Sequence, residues 1–298
     1  MPNSVTEIAE AKINLALHVL GRRADGYHEL DSIVAFAGIG DELVITISDE
    51  LSLTCEGMFG GQVPSGAENI ILKAWQHLSK LFAAKALVLP NVHVALTKNL
   101  PVASGIGGGS ADAAAMLRGL LRLTHQTLAE PEITALAKSL GADVPVCFRK
   151  TACQMQGIGE IITPLTIELP RAIVLVNPLA ACLTANVFTK LGLTPGQLHL
   201  TPLELHSPSD WRNDMTHAAI TTQPLITQVL AALKTEPAFS SVRMSGSGAT
   251  CFGLVGSMAQ ASAAAARLSV KNPGWWVRAA ELGGESLKPL DQREFLMS

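Results

Sequence analysis

Apolar and polar positions alternate along the first part of the chain in a pattern that predicts β-structure. The alternation covers residues 5–19 and returns over residues 42–54, with turn residues between them at Gly21, Asp25 and Gly26. We therefore predict that the chain opens with a sheet.

From residue 69 onward the pattern predicts helices interspersed with short strands. The predicted helices cover residues 69–82, 111–123, 131–140, 224–234 and 258–268, and the predicted strands cover residues 92–96, 144–148, 158–164, 172–176, 241–244, 250–255 and 275–280. Proline, serine and histidine between residues 193 and 211 indicate connecting loops. The 298 residues suggest two domains, which we predict at 1–165 and 166–298.

Composition and charge exclude several classes of protein. Hydrophobic residues make up 48% of the chain and charged residues 16%, which excludes an intrinsically disordered chain. The net charge of −3 and the lack of a basic run argue against a nucleic-acid partner. Aromatic residues are only 4%, and Tyr27 is the single tyrosine.

Cysteine spacing and hydropathy predict a cytoplasmic protein. The five cysteines are widely spread and never form a CxxC pair, so neither a disulfide framework nor a zinc site is expected. Mean hydropathy is +0.31. However, the charge-free runs 172–189 and 244–266 are interrupted by asparagine, proline or glycine, and the first residues do not resemble an export signal. We expect no membrane partner.

The densest chemical signal is PVASGIGGGSAD at residues 101–112, between a predicted strand and a predicted helix. Glycines let backbone N–H groups approach an anion, and the helix that follows directs its partly positive N-terminus to the same place. The segment lacks the lysine of a P-loop and the spacing of a dinucleotide fingerprint. A flexible hairpin is the alternative, but the helix-forming segment directly after the glycines disfavours it. We predict a phosphate-binding loop.

Four shorter polar segments are uninformative when each is taken alone. They are AKIN at 11–14, GYH at 26–28, GADVP at 141–145 and MSGSGATCF at 244–252. Read singly, Lys12 belongs on a solvated strand face, Asp143 belongs in a turn, and the serine-glycine segment is a β-turn. Their order along the chain is the informative feature.

That order, together with the glycine loop, resembles the GHMP family of small-molecule kinases. The triple glycine with SADAAA, the upstream AKIN and DGYHEL and the downstream GADVPV resemble the branch that phosphorylates a cytidine-diphosphate-linked methylerythritol. The resemblance implies a two-lobed α+β fold with the active site in the cleft between the lobes. It also implies ATP and Mg²⁺ as cofactors, transfer to the 2-hydroxyl of the substrate, a role in isoprenoid precursor synthesis, and a monomer or weak homodimer.

The resemblance also implies a role for each matching residue. Lys12 and Asp143 match the catalytic pair, in which a carboxylate accepts the proton of the attacking hydroxyl and a lysine stabilises the charges. The ATP-binding positions are Pro101, Val102, Ala103, Ser104, Gly105, Ile106, Gly107, Gly108, Gly109, Ser110, Ala111, Asn69 and Lys98. The substrate-binding positions are Asn14, Tyr27, His28, Thr184, Ser245, Gly246, Ser247 and Gly248, with Tyr27 and His28 holding the cytosine.

Two positions depart from the pattern of the family. Ala111 stands where many relatives have a second serine, which leaves Ser110 as the candidate Mg²⁺ ligand. The segment 213–216 resembles an Asn-Asp segment of the family without the acidic residue that often follows, and we assign it no catalytic part. Two alternatives stay open: a kinase of this family for another small alcohol, such as homoserine or mevalonate, and a non-catalytic ligand-binding regulator.

Overall fold

The computed structural model describes residues 3–165, 167–198 and 211–283, which form two β-sheets and eight α-helices. The strands are β1 (Ser4–Arg22), β2 (His28–Ile47), β3 (Ser52–Glu56), β4 (Val92–Thr97), β5 (Cys153–Gly157), β6 (Ile161–Pro164), β7 (Ala172–Asn177), β8 (Ser241–Met244), β9 (Cys251–Val255) and β10 (Trp276–Glu281). The helices are α1 (Ile70–Ala84), α2 (Gly108–Thr124), α3 (Glu130–Leu140), α4 (Val144–Arg149), α5 (Thr184–Lys190), α6 (Thr216–Thr222), α7 (Leu225–Lys234) and α8 (Met258–Lys271). This is the predicted α+β class.

The first sheet is built around the long antiparallel pair β1 and β2. Along its other edge β2 pairs with β4 and with β5, which gives the order β3-β4-β2-β5-β6 with β1 beside β2. The β1–β2 register shifts between Glu10 and Ala11 and again between Asn14 and Ala16. Such irregularities redirect side chains. Between them, Ile13 faces the second sheet while the neighbouring Lys12 reaches the helical side.

The second sheet is antiparallel, with the order β10-β7-β9-β8. One apolar core lies between the first sheet and helices α1 to α4, and another lies between the second sheet and helices α5 to α8. A third core, including Ile13, Leu175, Phe252 and Trp276, contains side chains of both sheets. The two sheets therefore pack against each other through buried side chains.

Several sequence predictions need correction. The predicted strand 144–148 is helix α4, because Pro145 fits the first turn of a helix and the valines beside it pack into the first core. The predicted strand 42–54 is the end of β2, a turn, and the start of β3. Helix α2 begins at Gly108 rather than 111, so two glycines lie in its first turn. Strand β5 and helices α5 and α6 were not predicted.

The predicted boundary near residue 165 falls between β6 and β7, where the chain passes from the first sheet to the second. The division into two domains stays a prediction. Most of the predicted loop 193–211 lies outside the described residues. Among the described helices, none has the length and apolar character needed to cross a membrane.

Candidate active site

A cavity of about 1120 Å³ opens at the N-terminal end of helix α2. Its walls come from β1, the turn before β2, α2, the start of α4, helix α5 and the loop between β8 and β9. The predicted site residues that line it are Lys12, Asn14, Tyr27, His28, Asn69, Lys98, Pro101, Val102, Ala103, Ser104, Gly105, Gly107, Gly108, Gly109, Ser110, Asp143, Thr184, Gly246 and Ser247. Residues distant in sequence thus share one cavity.

Four predicted residues lie behind the cavity wall. Ile106 and Ala111 are buried in two different cores, and Ser245 is fully buried. Gly248 has a φ of +84°, and a Cβ added there would lie 2.8 Å from Met244 Sδ. These residues hold the wall in place without lining the cavity.

Lys12 and Asp143 form an ion pair in the cavity, with 2.9 Å between Nζ and Oδ2. The Lys12 side chain is 5% exposed and that of Asp143 is 33% exposed. Asp143 is the N-cap of α4 but makes no side-chain capping hydrogen bond, so its carboxylate is directed to Lys12. The pair combines a proton acceptor with a fixed positive charge beside the phosphate loop.

The glycine loop lies directly over Lys12. Gly107 is left-handed with a φ of +64°, and a Cβ added there would lie 3.1 Å from Lys12 Cβ. The Lys12 N–H donates to Ile106 O at 3.0 Å. Helix α2 starts at Gly108, directly after Gly107. The unpaired N–H groups of its first turn and its dipole therefore face the cavity. This is an anion-binding arrangement.

A buried ionic cluster of Lys98, Asp41 and Asp112 lies beside the phosphate loop. Lys98 Nζ lies 2.5 Å from Asp41 Oδ2 and 2.5 Å from Asp112 Oδ2, and Asp41 Oδ1 accepts from the N–H groups of Asn99 and Leu100. Burial opposes the charged form of Lys98, but the Asp112 and Asp41 carboxylates outweigh it and raise its pKa. Burial raises the pKa of Asp112 to about 7, against the influence of Lys98. The cluster joins the end of β4 to the first turns of α2.

The loop between β8 and β9 is hydrogen-bonded to the phosphate loop. The Ser245 hydroxyl donates to Gly105 O at 2.9 Å, and the Thr250 N–H donates to Ser104 O at 3.1 Å. A Cβ added at Gly246 would lie 2.6 Å from Gly105 O, so only glycine permits this approach. The third glycine-containing motif therefore packs directly on the phosphate loop.

The Asn-Asp segment, to which we assigned no catalytic part, fixes the same β8–β9 loop. Asn213 Nδ2 donates to Met244 O and Gly246 O, each at 2.8 Å, and Asn213 forms a β-bridge with Leu17. Asp214 Oδ2 accepts from the Val19 N–H at 3.0 Å. The segment ties strand β1 to the loop that carries Gly246.

The cavity wall includes polar and aromatic side chains suited to a flat ring. Tyr27 is 60% exposed, and the His28 ring stacks on Phe188 of α5 with 4.4 Å between the ring centroids. His28 Nε2 has no hydrogen-bond partner among the described residues. Burial and then Arg22 lower the pKa of His28, which leaves a neutral ring with one donor and one acceptor nitrogen. Close by, the hydroxyls of Thr184 and Ser247 are 2.7 Å apart.

Asn69 holds the segment before helix α1. Its Oδ1 accepts from the Ile71 N–H as the helix N-cap, and its Nδ2 donates to Pro64 O at 2.6 Å. The side chain thus fixes Pro64, which also lines the cavity. Asn69 therefore shapes this part of the cavity wall, and its contact with a nucleoside stays a prediction.

Sequence reasoning missed Phe188, Asp41 and Asp112 as site residues. Phe188 lies four residues after the predicted Thr184, but the sequence analysis predicts no helix there, and α5 is the helix that presents it. Asp41 lies in a strand and Asp112 follows the glycine loop, and their shared partner Lys98 is distant from Asp41 in sequence. No rule of sequence spacing predicts the contacts among Asp41, Lys98 and Asp112.

The donors around the loop fit a divalent ion held mainly by phosphate oxygens. Ser110 in the first turn of α2 and the Asp143 carboxylate both line the cavity. The described part of the chain has no cluster of three or more histidine, cysteine, aspartate or glutamate side chains placed to hold a metal ion. Mg²⁺ is commonly bound by one or two protein groups together with substrate phosphates and water, so the sparse set suits it.

Family models match both halves of the chain. The GHMP kinase N-terminal domain matches residues 69–151 and the GHMP kinase C-terminal domain matches residues 201–272. Among solved structures, a homoserine kinase from Cytophaga hutchinsonii is similar in fold, with a TM-score of 0.71 at 16% identity over 96% of this chain and 97% of that one. The chain is a GHMP kinase.

More similar relatives narrow the family. A 4-diphosphocytidyl-2-C-methyl-D-erythritol kinase from Paramagnetospirillum magneticum is 46% identical over 92% of this chain and 97% of its own length. One from Rhizobium meliloti is 43% identical over 95% of this chain and 97% of its own. The crystal structure of a 4-(cytidine 5'-diphospho)-2C-methyl-D-erythritol kinase has a TM-score of 0.76 at 30% identity, over 94% of this chain and all of that one. Within the GHMP kinases, this chain belongs to the family of 4-diphosphocytidyl-2-C-methyl-D-erythritol kinases.

Proposed function

We propose that the protein transfers the γ-phosphoryl group of ATP to the 2-hydroxyl of 4-diphosphocytidyl-2-C-methyl-D-erythritol, giving the 2-phosphate and ADP. The observation that carries this proposal is the single cavity that joins a helix N-terminus, the Lys12–Asp143 ion pair and an aromatic subsite. The activity is a step in isoprenoid precursor synthesis, and its use of ATP suits the cytoplasm.

The phosphate loop binds the donor. Phosphoryl transfer needs in-line positioning and neutralisation of charge more than covalent help from the protein. The first-turn N–H groups of α2 provide this for the phosphates, and Asn69 and Lys98 shape the walls on the nucleoside side. Ser110 and Asp143 line the cavity and would hold Mg²⁺ together with the phosphates, on which the ion would neutralise charge.

Asp143 and Lys12 activate the acceptor. The Asp143 carboxylate accepts the proton of the substrate 2-hydroxyl while its oxygen attacks the γ-phosphorus. The bond from the γ-phosphorus to the β,γ-bridging oxygen breaks, and ADP leaves with the bond's electron pair. Lys12, 2.9 Å from Asp143, stabilises the negative charge that develops on the attacking oxygen. General-base help of this kind contributes roughly 10²- to 10⁴-fold in rate.

Tyr27, His28 and Phe188 select the cytidine group. The exposed Tyr27 ring offers a flat face, and Phe188 and His28 offer a second aromatic surface and a free ring nitrogen. Stacking on aromatic side chains contributes about 1–3 kcal/mol per base, and a neutral imidazole pairs with the polar edge of a pyrimidine. Asn14 and the paired hydroxyls of Thr184 and Ser247 line the same cavity, and we propose that they bind the polyol.

Two alternatives predict different results in one experiment. A kinase for homoserine or mevalonate would not need the aromatic subsite, and a non-catalytic regulator would not need the ion pair beside the phosphate loop. The purified protein is incubated with ATP, Mg²⁺ and each of the three alcohols, and ADP release and new phosphomonoester are measured by coupled assay and ³¹P NMR. We expect turnover with the cytidylated alcohol alone. Turnover only with another alcohol, or none with any of them, would overturn the proposal.

A further inference from the structure

A buried serine that the proposed reaction does not use is bonded to a residue that it does use. Ser32 of β2 is 0% exposed and Asn14 of β1 is 1% exposed. Asn14 Nδ2 donates to Ser32 Oγ at 2.7 Å, and Ser32 Oγ donates to the carbonyl oxygen of Ala16 at 2.6 Å. Asn14 lines the cavity beside Lys12, whereas Ser32 does not line it.

The proton count at Ser32 fixes the orientation of the Asn14 amide. A hydroxyl has one proton, and because the Ala16 carbonyl can only accept, that proton is used there. Ser32 Oγ can then only accept from Asn14, and the amide nitrogen is the sole donor of an asparagine side chain. The Nδ2 atom must therefore point to Ser32, and Oδ1, in the same plane, must point away from Ser32.

This orientation leaves the amide oxygen of Asn14 without a hydrogen-bond donor among the described residues. Asn14 Oδ1 has no hydrogen-bond partner among the described residues, while the Asn14 backbone N–H is already bonded to Ser245 Oγ at 3.1 Å. A buried acceptor without a partner is unfavourable, so an asparagine is retained in such a place at an energetic penalty unless a ligand supplies the missing donor. The donor that the proposed substrate brings to this part of the cavity is an alcohol hydroxyl.

We propose that Ser32 is a positioning residue that presents the Asn14 carbonyl oxygen to a hydroxyl of the polyol, a role that rests on the proposed function. Ser32 acts only through Asn14 and contacts no substrate. With the serine hydroxyl in place, the amide cannot turn its NH₂ group toward the substrate, so the site favours a ligand that donates at this point over one that only accepts. The link extends from strand β2, through strand β1, to the acceptor alcohol.

A structural test is independent of the substrate. Crystal structures of wild type, Ser32→Ala and Ser32→Thr, at a resolution that distinguishes amide nitrogen from oxygen or by neutron diffraction, report the Asn14 orientation directly. We expect Nδ2 to face position 32 in wild type and in Ser32→Thr, and the amide to turn or become mixed in Ser32→Ala. An Asn14 amide that keeps one orientation in all three proteins would overturn the proposal.

A kinetic cycle then tests whether the effect passes through Asn14. Ser32→Ala, Asn14→Ala, the double variant and Ser32→Thr are compared, with Thr124→Val as the control, because Thr124 is a buried hydroxyl bonded to Leu120 O away from the cavity. We expect Ser32→Ala to raise KM for the cytidylated alcohol about 10-fold, the size of one misplaced hydrogen bond, with KM for ATP little changed. Ser32→Thr should restore the wild-type value.

The same cycle separates positioning from general support of the fold. In the Asn14→Ala background, Ser32→Ala should have almost no further effect on KM. Additive losses, or an equal rise in KM for ATP, would show a merely structural role and overturn the proposal. If wild type does not phosphorylate the cytidylated alcohol at all, the proposed function fails, and the crystal structures alone decide the orientation claim.

Discussion

The Ser245 hydroxyl donates a hydrogen bond to the carbonyl oxygen of Gly105 at 2.9 Å, so a residue that follows β8 holds the phosphate loop that precedes α2. The same hydroxyl accepts from the Asn14 N–H at 3.1 Å. One buried side chain therefore links strand β1, which carries Lys12, to the loop that we propose binds the donor. The phosphate loop owes its shape to both halves of the chain.

Replacing Ser245 with alanine should loosen the phosphate loop. The change leaves the Asn14 N–H and Gly105 O without their partner, which we expect to lower the free energy of unfolding by roughly 1–3 kcal/mol and to raise KM for ATP. Chemical denaturation and steady-state kinetics measure the two effects. Ser240→Ala is the control, because that hydroxyl donates to Leu254 O and, within the described part of the chain, lies outside the cavity. Equal behaviour of the two variants would contradict the role given to Ser245.

Substitution of Tyr27 should affect the acceptor and spare the donor. Tyr27→Ala removes an exposed aromatic face, and a stacking loss of about 1–3 kcal/mol corresponds to a rise of roughly 5- to 150-fold in KM for the cytidylated alcohol. Tyr27→Phe keeps the ring and should stay near wild type. KM for ATP is measured in the same series. A similar rise for Tyr27→Phe, or no rise for Tyr27→Ala, would be incompatible with a stacked cytosine.

Removal of the buried charge at Lys98 should destabilise the fold itself. Lys98→Met leaves the Asp41 and Asp112 carboxylates buried without their cation, and breaking a buried pair in this way typically lowers stability by about 3–5 kcal/mol. The control is Lys85→Met, which breaks the more exposed pair with Glu132 and should change stability far less, because solvent screens that pair. Denaturant unfolding of both variants provides the comparison. A similar small loss for both would argue against a supporting role for the cluster.

The buried His18 should make stability depend on pH. Burial and then Arg212 lower its pKa, and Asp214 and Asp31 only partly oppose this. The folded-state pKa of His18 lies below the unfolded value of 6.5, so the folded protein favours the neutral ring. The contribution of His18 to the free energy of unfolding is therefore fully present above pH 6.5 and is lost as pH falls through the folded-state pKa. Unfolding free energies from pH 7.5 downward should therefore fall more steeply for wild type than for His18→Gln. The exposed His217→Gln variant should follow wild type, and parallel curves for all three proteins would refute the prediction.

Local patterns predicted those parts of the fold that depend on local spacing. The helical period over 69–82 and the alternation in β4 match the structure, because each element has one face on the first core. Strand β1 is also found, but its burial alternates only over residues 4–10, and further along its side chains enter the other two cores. Residues 144–148 were assigned to a strand because valines there resemble a buried strand, whereas Pro145 and the packing of α4 on α2 make them helical. Tertiary packing overrides β-propensity in such a short segment.

The sequence predicted that the glycine loop, Lys12 and Asp143 belong to one site only because their order resembles that of a family. Spacing alone gave no means of pairing Lys12 with Asp143, because a β-strand and a helix N-terminus meet there through the tertiary fold. The Lys98 cluster, the Ser245 link and the stack of His28 on Phe188 have the same origin. Each joins elements whose contact depends on the assembled cores.

The rate of phosphoryl transfer in Asp143→Asn tests the central claim most directly. The substitution keeps the size of the side chain and its place beside Lys12 but removes the proton acceptor. In single-turnover reactions with ATP, Mg²⁺ and the cytidylated alcohol, we expect the rate to fall by roughly 10²- to 10⁴-fold, with a melting temperature near wild type. Glu130→Gln, which removes the Glu130–Arg149 surface pair, should react at the wild-type rate. A folded Asp143→Asn protein that transfers phosphate as fast as the Glu130→Gln control would contradict the account.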